Sequence, residues 1–284
     1  MHWRRTLIAA LLAACATLPM SAQIALNNPE GITFDSAGNL YVANYATNQI
    51  LIYNSALVQT GSISEGLSGP NRLAFDPDGN LYVSNGSSNA ITVYDPQGNQ
   101  IVSKKITNRV NRPLGVAVDT SGNVFVSNNG TNNIAAYSSN GALIGTLSRD
   151  NHHRFLAPGV MAILGPNLYL GTGPTAGQSY TNSYNIDVLL TGRAREVVTY
   201  FDTFDEGPTG IAFDSAGNVY IDYFYTGTAV KYSPFNNVLL TIKYASYGQG
   251  EGIAVDGQGN IYIAFGPNTI NVYSPTGTLI NTLH

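Results

Sequence analysis

Charge is scarce in this chain. Asp, Glu, Lys and Arg make up 11% of 284 residues, 17 acidic against 13 basic, while 44% of the residues are hydrophobic. So little charge beside so much apolar content cannot keep a chain solvated and expanded, which excludes disorder. Lys and Arg nowhere cluster, and a formal net charge of -4 offers phosphates no electrostatic footprint, which excludes nucleic-acid binding. Cysteine is nearly absent, with Cys15 alone. No Ser-His-Asp spacing, cysteine nucleophile or phosphate loop occurs, and the apolar run from Thr6 to Leu18 is too short to span a bilayer comfortably.

That run has the form of an export signal. Arg4 and Arg5 precede it, and Pro19-Met20-Ser21-Ala22 closes it with small residues. Residues 1–22 are expected to be a signal peptide, and 23–284 one secreted or periplasmic domain. Cleavage leaves 11 basic against 17 acidic groups and no cysteine, so no disulfide supports the fold. The alternative is a lipoprotein: Leu12-Ala13-Ala14-Cys15 resembles the box in which the cysteine is lipidated and becomes the N-terminus.

What is abundant is turn chemistry, with 30 Gly, 13 Pro and 18 Tyr. It recurs with a period. PEGITFDSAGNLYVAN at 29–44 returns as PNRLAFDPDGNLYVSN at 70–85, PLGVAVDTSGNVFVSN at 113–128, PTGIAFDSAGNVYIDY at 208–223 and GEGIAVDGQGNIYIAF at 250–265. The aspartates stand 41, 43, 95 and 42 residues apart, and the double gap holds a degenerate copy, APGVMAILGPNLYLGT at 157–172. In the five regular copies an inner strand ends on the aspartate, which the degenerate copy lacks, a Gly-Asn turn leads to a second strand with an aromatic residue, and a third ends on a tyrosine such as Tyr53, Tyr94 or Tyr137. After another turn a fourth follows, as from Gln100 to Ile106. A four-stranded repeat of this length predicts an all-β, six-bladed β-propeller of four-stranded antiparallel blades. Inner strands alternate small and large residues, as at Gly115, Val116, Ala117 and Val118, so that large faces pack on small ones. The chain starts at an inner strand and ends at an outer one, so packing between the last and first blades must close the ring unless residues 23–28 join an edge.

The repeated P-x-G-[IV]-[AT]-[FV]-D-x-x-G-N-[LVI]-[YF]-[VI] resembles the NHL repeat, and over all six copies the chain is similar to secreted six-bladed NHL-type propellers. Related propellers include protein-binding modules, senescence-marker and gluconolactonase-like lactonases, and lyases, so the resemblance implies a fold and leaves the activity open.

Function is therefore sought where the repeats differ. Five positions before the aspartate the copies read Glu30, Asn71, Leu114, Gly159, Thr209 and Glu251, a ring at the channel mouth. Ring closure would gather Glu251, Glu30 and Asn71 into an oxygen-rich arc suited to calcium or another divalent cation; the alternative is solvated carboxylates. The resemblance to gluconolactonase-like propellers implies one metal over the channel held by Glu, Asn and Asp, and Asp222 is the nearest aspartate. Arg72 stands where four other copies have glycine. Near it in the loops before the third and fourth repeats lie Arg109, Arg112, Arg149, Arg154, His152 and His153, against Asp202, Asp205 and Glu206 later in the chain. Arg72 and the two histidines are the catalytic candidates, a histidine serving as general base or simply as part of a polar loop. The repeated aspartates and the Asn-rich loops read as turn chemistry. Residues 172–184 lengthen one loop, and with Tyr223, Phe224 and Tyr225 could wall a pocket. The expected protein is a monomer that binds a peptide, glycan or partner protein through its loop face; the alternative is a metal-dependent hydrolase or lyase.

Overall fold

The computed structural model describes residues 23–148, 157–172, 181–185, 197–201, 207–245 and 250–284. The first sheet contains β1 (Pro29–Phe34), β2 (Leu40–Asn44), β3 (Gln49–Tyr53) and β4 (Gln59–Ile63). The next has only β5 (Pro70–Phe75), β6 (Leu81–Asn85) and β7 (Ala90–Tyr94). Then come β8 (Pro113–Val118), β9 (Val124–Asn128), β10 (Asn133–Tyr137) and β11 (Leu143–Leu147), followed by β12 (Pro158–Leu164), β13 (Asn167–Thr172), β14 (Thr181–Asn185) and β15 (Val197–Phe201). The last two sheets are β16 (Pro208–Phe213), β17 (Val219–Tyr223), β18 (Thr228–Tyr232) and β19 (Val238–Lys243), and β20 (Gly250–Val255), β21 (Ile261–Phe265), β22 (Thr269–Tyr273) and β23 (Leu279–Leu283).

The protein is an all-β propeller with five four-stranded blades, which corrects the expectation of six such blades. In the sheet β5–β7 the predicted fourth strand, Gln100 to Ile106, touches β7 only through the bridges Tyr94 to Gln100 and Ile91 to Ile106. It spends more residues between those bridges than β7 does, and the surplus coils into a 3-10 turn at Val102–Lys104. Lys104 turns inward to pair with Asp76 at 3.5 Å.

The repeated aspartates are turn clamps. Asp35 Oδ1 accepts from the backbone N–H groups of Ala37 and Asn39, and Oδ2 from the Asn39 side chain at 2.8 Å. Asp76, Asp119, Asp214 and Asp256 repeat this pattern. Each leaves a glycine, Gly38 for example, at a positive φ that a side chain would strain. The asparagines that end β2, β6 and β9 act as latches. Asn44, Asn85 and Asn128 are fully buried, and their side-chain oxygens accept from Asn27, Ser68 and Asn111 in the segments leading into their own sheets. Asn48, Asn89 and Asn132 reach forward to bind the backbone N–H of Gly69, Arg112 and Ala157 before the next sheets. Buried amides satisfied in this way fix the loops that surround the channel.

The inner strands β1, β5, β8, β12, β16 and β20 contact one another in order, and β20 contacts β1. Closure comes from packing, as expected: Ile32 and Val42 share a buried cluster with Ala254, Tyr262 and Val272. Phe34 meets Tyr262 edge-on at 5.0 Å. Residues 23–28 form no strand, yet Leu26 wedges into that cluster and the Asn28 N–H donates to the Pro267 carbonyl. Tyr41 with Phe75 and Tyr169 with Phe213 repeat the edge-on contact between other neighbouring sheets. No helix among the described residues is long and apolar enough to cross a membrane.

Ala117 lies in a buried cluster with Phe125, Met161 and Leu168, so the small side of β8 meets the large side of the following blade. Ala117→Leu should overpack this contact and cost about 1–3 kcal/mol in chemical denaturation. An unchanged unfolding midpoint would contradict the assignment of that face.

Candidate functional site

Every inner strand carries an irregularity near its start. In β1 the register slips between Pro29 and Ile32, in β5 between Pro70 and Leu73, and in β20 between Gly250 and Gly252; β8, β12 and β16 slip likewise. Five of the six begin with proline, which has no N–H to offer a ladder. An extra residue in one strand re-aims its side chain. The slipped stretches contain Glu30, Asn71, Leu114, Gly159, Thr209 and Glu251, and all six line one cavity of about 420 Å³ at the channel mouth. The ring read from the repeats is thus a physical ring.

Close packing of the inner strands depends on glycine. A side chain at Gly31 would strike the Asn71 carbonyl and Arg72 Cα, and one at Gly252 would strike the Glu30 carbonyl. Arg72 breaks this pattern and extends into the channel. Its Nη1 lies 3.3 Å from Glu30 Oε2 and its Nη2 donates to the Thr209 carbonyl at 2.7 Å. β5 and β16 are opposite members of the ring, so the guanidinium bridges the channel. Its backbone N–H, displaced from the ladder, donates to Ser84 Oγ at 2.9 Å, while Nε is buried without a partner.

Glu251 hydrogen-bonds Glu30 and feels its charge. Burial, then the Glu30 carboxylate, push Glu251 up to about 7, although Arg72 pulls the other way. Glu30 Oε1 also accepts from Asn28 Nδ2 at 3.1 Å. Asp222 does not line the cavity. Fully buried behind it, the residue accepts from Tyr244 Oη and, at 3.1 Å, from Thr209 Oγ1. Burial raises Asp222 to about 7, offset in part by those two hydroxyls and by Arg72. Tyr244 is itself raised, by burial and then by Asp222. A side chain at Gly250 would collide with both groups.

This constellation does not fit a divalent cation. Glu30, Glu251 and Asn71 are brought together, but the charge that answers Glu30 is the Arg72 guanidinium and Asp222 is committed to hydroxyl donors. Among the described residues no group of three or more His, Cys, Asp or Glu could hold a metal. Of the other candidates, Arg109 and Arg112 are exposed in the loop before β8 and do not line the cavity. His152, His153, Arg149, Arg154, Asp202, Asp205, Glu206 and loop residues 173–180 lie outside the described residues, as do Cys15 and the leader. Phe224 and Tyr225 line the cavity, packed edge to face at 5.3 Å. Tyr223 corrects that expected aromatic wall: fully buried, it bonds Tyr232 within the sheet at 3.1 Å. Tyr244 was not expected at the site. Its one sequence signal is indirect: Asp222 stands where other repeats have Ala43, Ser84, Ser127 or Ala264, and a buried acid needs donors.

Comparison with known proteins agrees with the fold. The chain is a β-propeller in which residues 26–53 match the NHL repeat and residues 57–150 match the SMP-30/Gluconolactonase/LRE-like region. No curated protein matches it in sequence. Among solved structures it is similar to virginiamycin B lyase from Staphylococcus aureus, with a TM-score of 0.65 and 14% identity over 90% of this chain and 86% of that one. A streptogramin B lyase aligns with a TM-score of 0.63 and 12% identity over 89% of this chain and 96% of that one. A chain of a nidogen/laminin complex aligns at 0.67 and 16%, over 84% and 90%. At these identities the likeness concerns the fold alone.

Because Glu251 is raised from 4.5 to about 7, the folded protein holds a proton that the unfolded chain has released within that interval. Its stabilising contribution is complete below about pH 4.5 and is lost as pH rises through about 7. Asp222 acts in the same direction. Thermal unfolding of Glu251→Gln should therefore match the wild type in acid and exceed it above about pH 7, by on the order of 2 kcal/mol. Parallel pH profiles for the two proteins would contradict the site as described.

Proposed function

We propose that the protein is an exported, monomeric NHL-type propeller of six blades, the three-stranded sheet counting as one, that binds a peptide, glycan or protein at its channel-mouth cavity. Residues 1–22 would direct export, ending either in a soluble chain or in one anchored at Cys15. The observation that carries the binding reading is the cavity itself. Its floor is already organised by the Arg72–Glu30 pair and the Thr209 carbonyl, and its wall presents Phe224 and Tyr225. Its volume of about 420 Å³ suits one side chain or sugar unit better than a broad protein face. A preorganised polar floor costs nothing to order when a ligand arrives, and aromatic walls supply most of the contact energy. The similarity in fold to a chain from a nidogen/laminin complex supports this reading.

The Glu251–Glu30 pair favours a second reading. A carboxyl that exchanges its proton near neutral pH inside a cavity can serve as general acid or base, so a hydrolase or lyase would act through Glu251. The two lyases of similar fold support it.

Peptide and glycan arrays with the wild type and Tyr225→Ala test the first reading. Ligands captured by the wild type should bind the variant at least about tenfold more weakly, since an aromatic contact is removed. Ligands held equally by both proteins, or none at all, would contradict it; turnover of a captured ligand that Glu251→Gln abolishes would establish the second reading instead.

A further inference from the structure

The cavity floor has more acceptors than donors. Among the described residues that line it, Arg72 is the one cationic side chain, and its terminal nitrogens are committed to Glu30, the Asn71 carbonyl and the Thr209 carbonyl. That charge balances one carboxylate. The second, Glu251, feels Arg72 only in part and keeps a proton against Glu30. Asn71, 8% exposed, donates its amide nitrogen to the Gly69 carbonyl at 3.4 Å, so the amide oxygen is the end left to accept. Above this floor stand Phe224 and Tyr225, whose ring faces attract cations and whose area suits an apolar stem. An anion would meet carboxylates and a guanidinium already occupied. A monovalent donor cation can take the place of the shared proton without the full oxygen shell that a divalent ion needs.

We propose that the cavity recognises a primary ammonium group on a short apolar stem, as the end of a lysine side chain presents it, with the ammonium on Glu251 and Asn71 and the stem against Phe224 and Tyr225. This rests on the binding function proposed above. Occupation expels the proton between Glu251 and Glu30, so binding releases protons below the pH at which Glu251 ionises. The groups that face Glu251 and set that pH are Glu30 on β1, Arg72 on β5, Asp222 on β17 and Tyr244 after β19.

The probes are n-butylammonium, n-butanol and butyrate, titrated into the full chain near pH 6.5 (about half a unit below the Glu251 value of about 7). Binding is followed by the aromatic NMR signals of Phe224 and Tyr225 and by calorimetry in two buffers of different ionisation heat. Butylammonium should bind at least about tenfold tighter than butanol, with proton release, and Glu251→Gln, shown folded by its unfolding curve, should reduce that preference to about twofold or less. Tyr225→Leu should weaken butylammonium while leaving proton release intact. If butanol or butyrate binds the same residues as tightly, the ammonium assignment is overturned and the binding pocket survives. If Glu251→Gln retains the preference, the assignment to Glu251 is overturned. If none of the three probes perturbs the aromatic signals, the proposal and the pocket reading fall together.

Discussion

A cation fixed across the channel mouth organises the rest of this site. Arg72 reaches from β5 to Glu30 on β1 and to the Thr209 carbonyl on the opposite strand β16, so two consecutive sheets and one distant in sequence are tied at one point. The tie requires several local features at once. Gly31 leaves the Arg72 backbone room beside β1, the register slip in β5 turns the side chain inward, and Ser84 takes the displaced N–H. Once the guanidinium is in place, the neighbouring carboxyls sort themselves. Glu30 is paired with it, whereas Glu251 and Asp222 are left with less compensation for burial and hold their protons towards neutral pH.

Such a site depends on ring closure, and closure here uses neither a disulfide nor a shared blade. It rests on the cluster joining the first and last sheets, with Leu26 as a wedge, and on asparagine latches around the loops. Burial of aliphatic and aromatic side chains supplies the driving force, and saturated amide hydrogen bonds set the geometry. The latches occur after β2, β6 and β9, where Asn44, Asn85 and Asn128 stand; the matching positions later in the chain are Thr172, Tyr223 and Phe265. The aromatic pair Phe224–Tyr225, which follows Tyr223 directly, lines the cavity.

Much of this was legible in the sequence because repetition amplifies weak signals. One Asp-x-x-Gly-Asn turn says little, but its return fixed the strand order, the turn role of the aspartates and the six positions around the cavity. Two features escaped. The missing fourth strand beside β7 follows from a few surplus residues between Gln100 and Ile106, invisible to a period measured between aspartates. The direction of Arg72 escaped as well, because a glycine-to-arginine departure marks an exception without saying what it touches. Its partners, a carbonyl across the ring and a carboxylate on the neighbouring strand, are set by three-dimensional closure. Glu30, Asn71 and Glu251 line one cavity, and the cation among them belongs to the chain.

The central claim is that Arg72 supplies the positive charge that governs the carboxyls at the channel mouth. Carbon-13 NMR titration of the Glu251 and Asp222 carboxyl signals in wild type and Arg72→Gln tests it most directly. Since Arg72 lowers both groups in the intact site, its loss should move both titrations upward from about 7. Titrations that stay in place or move downward would contradict the account.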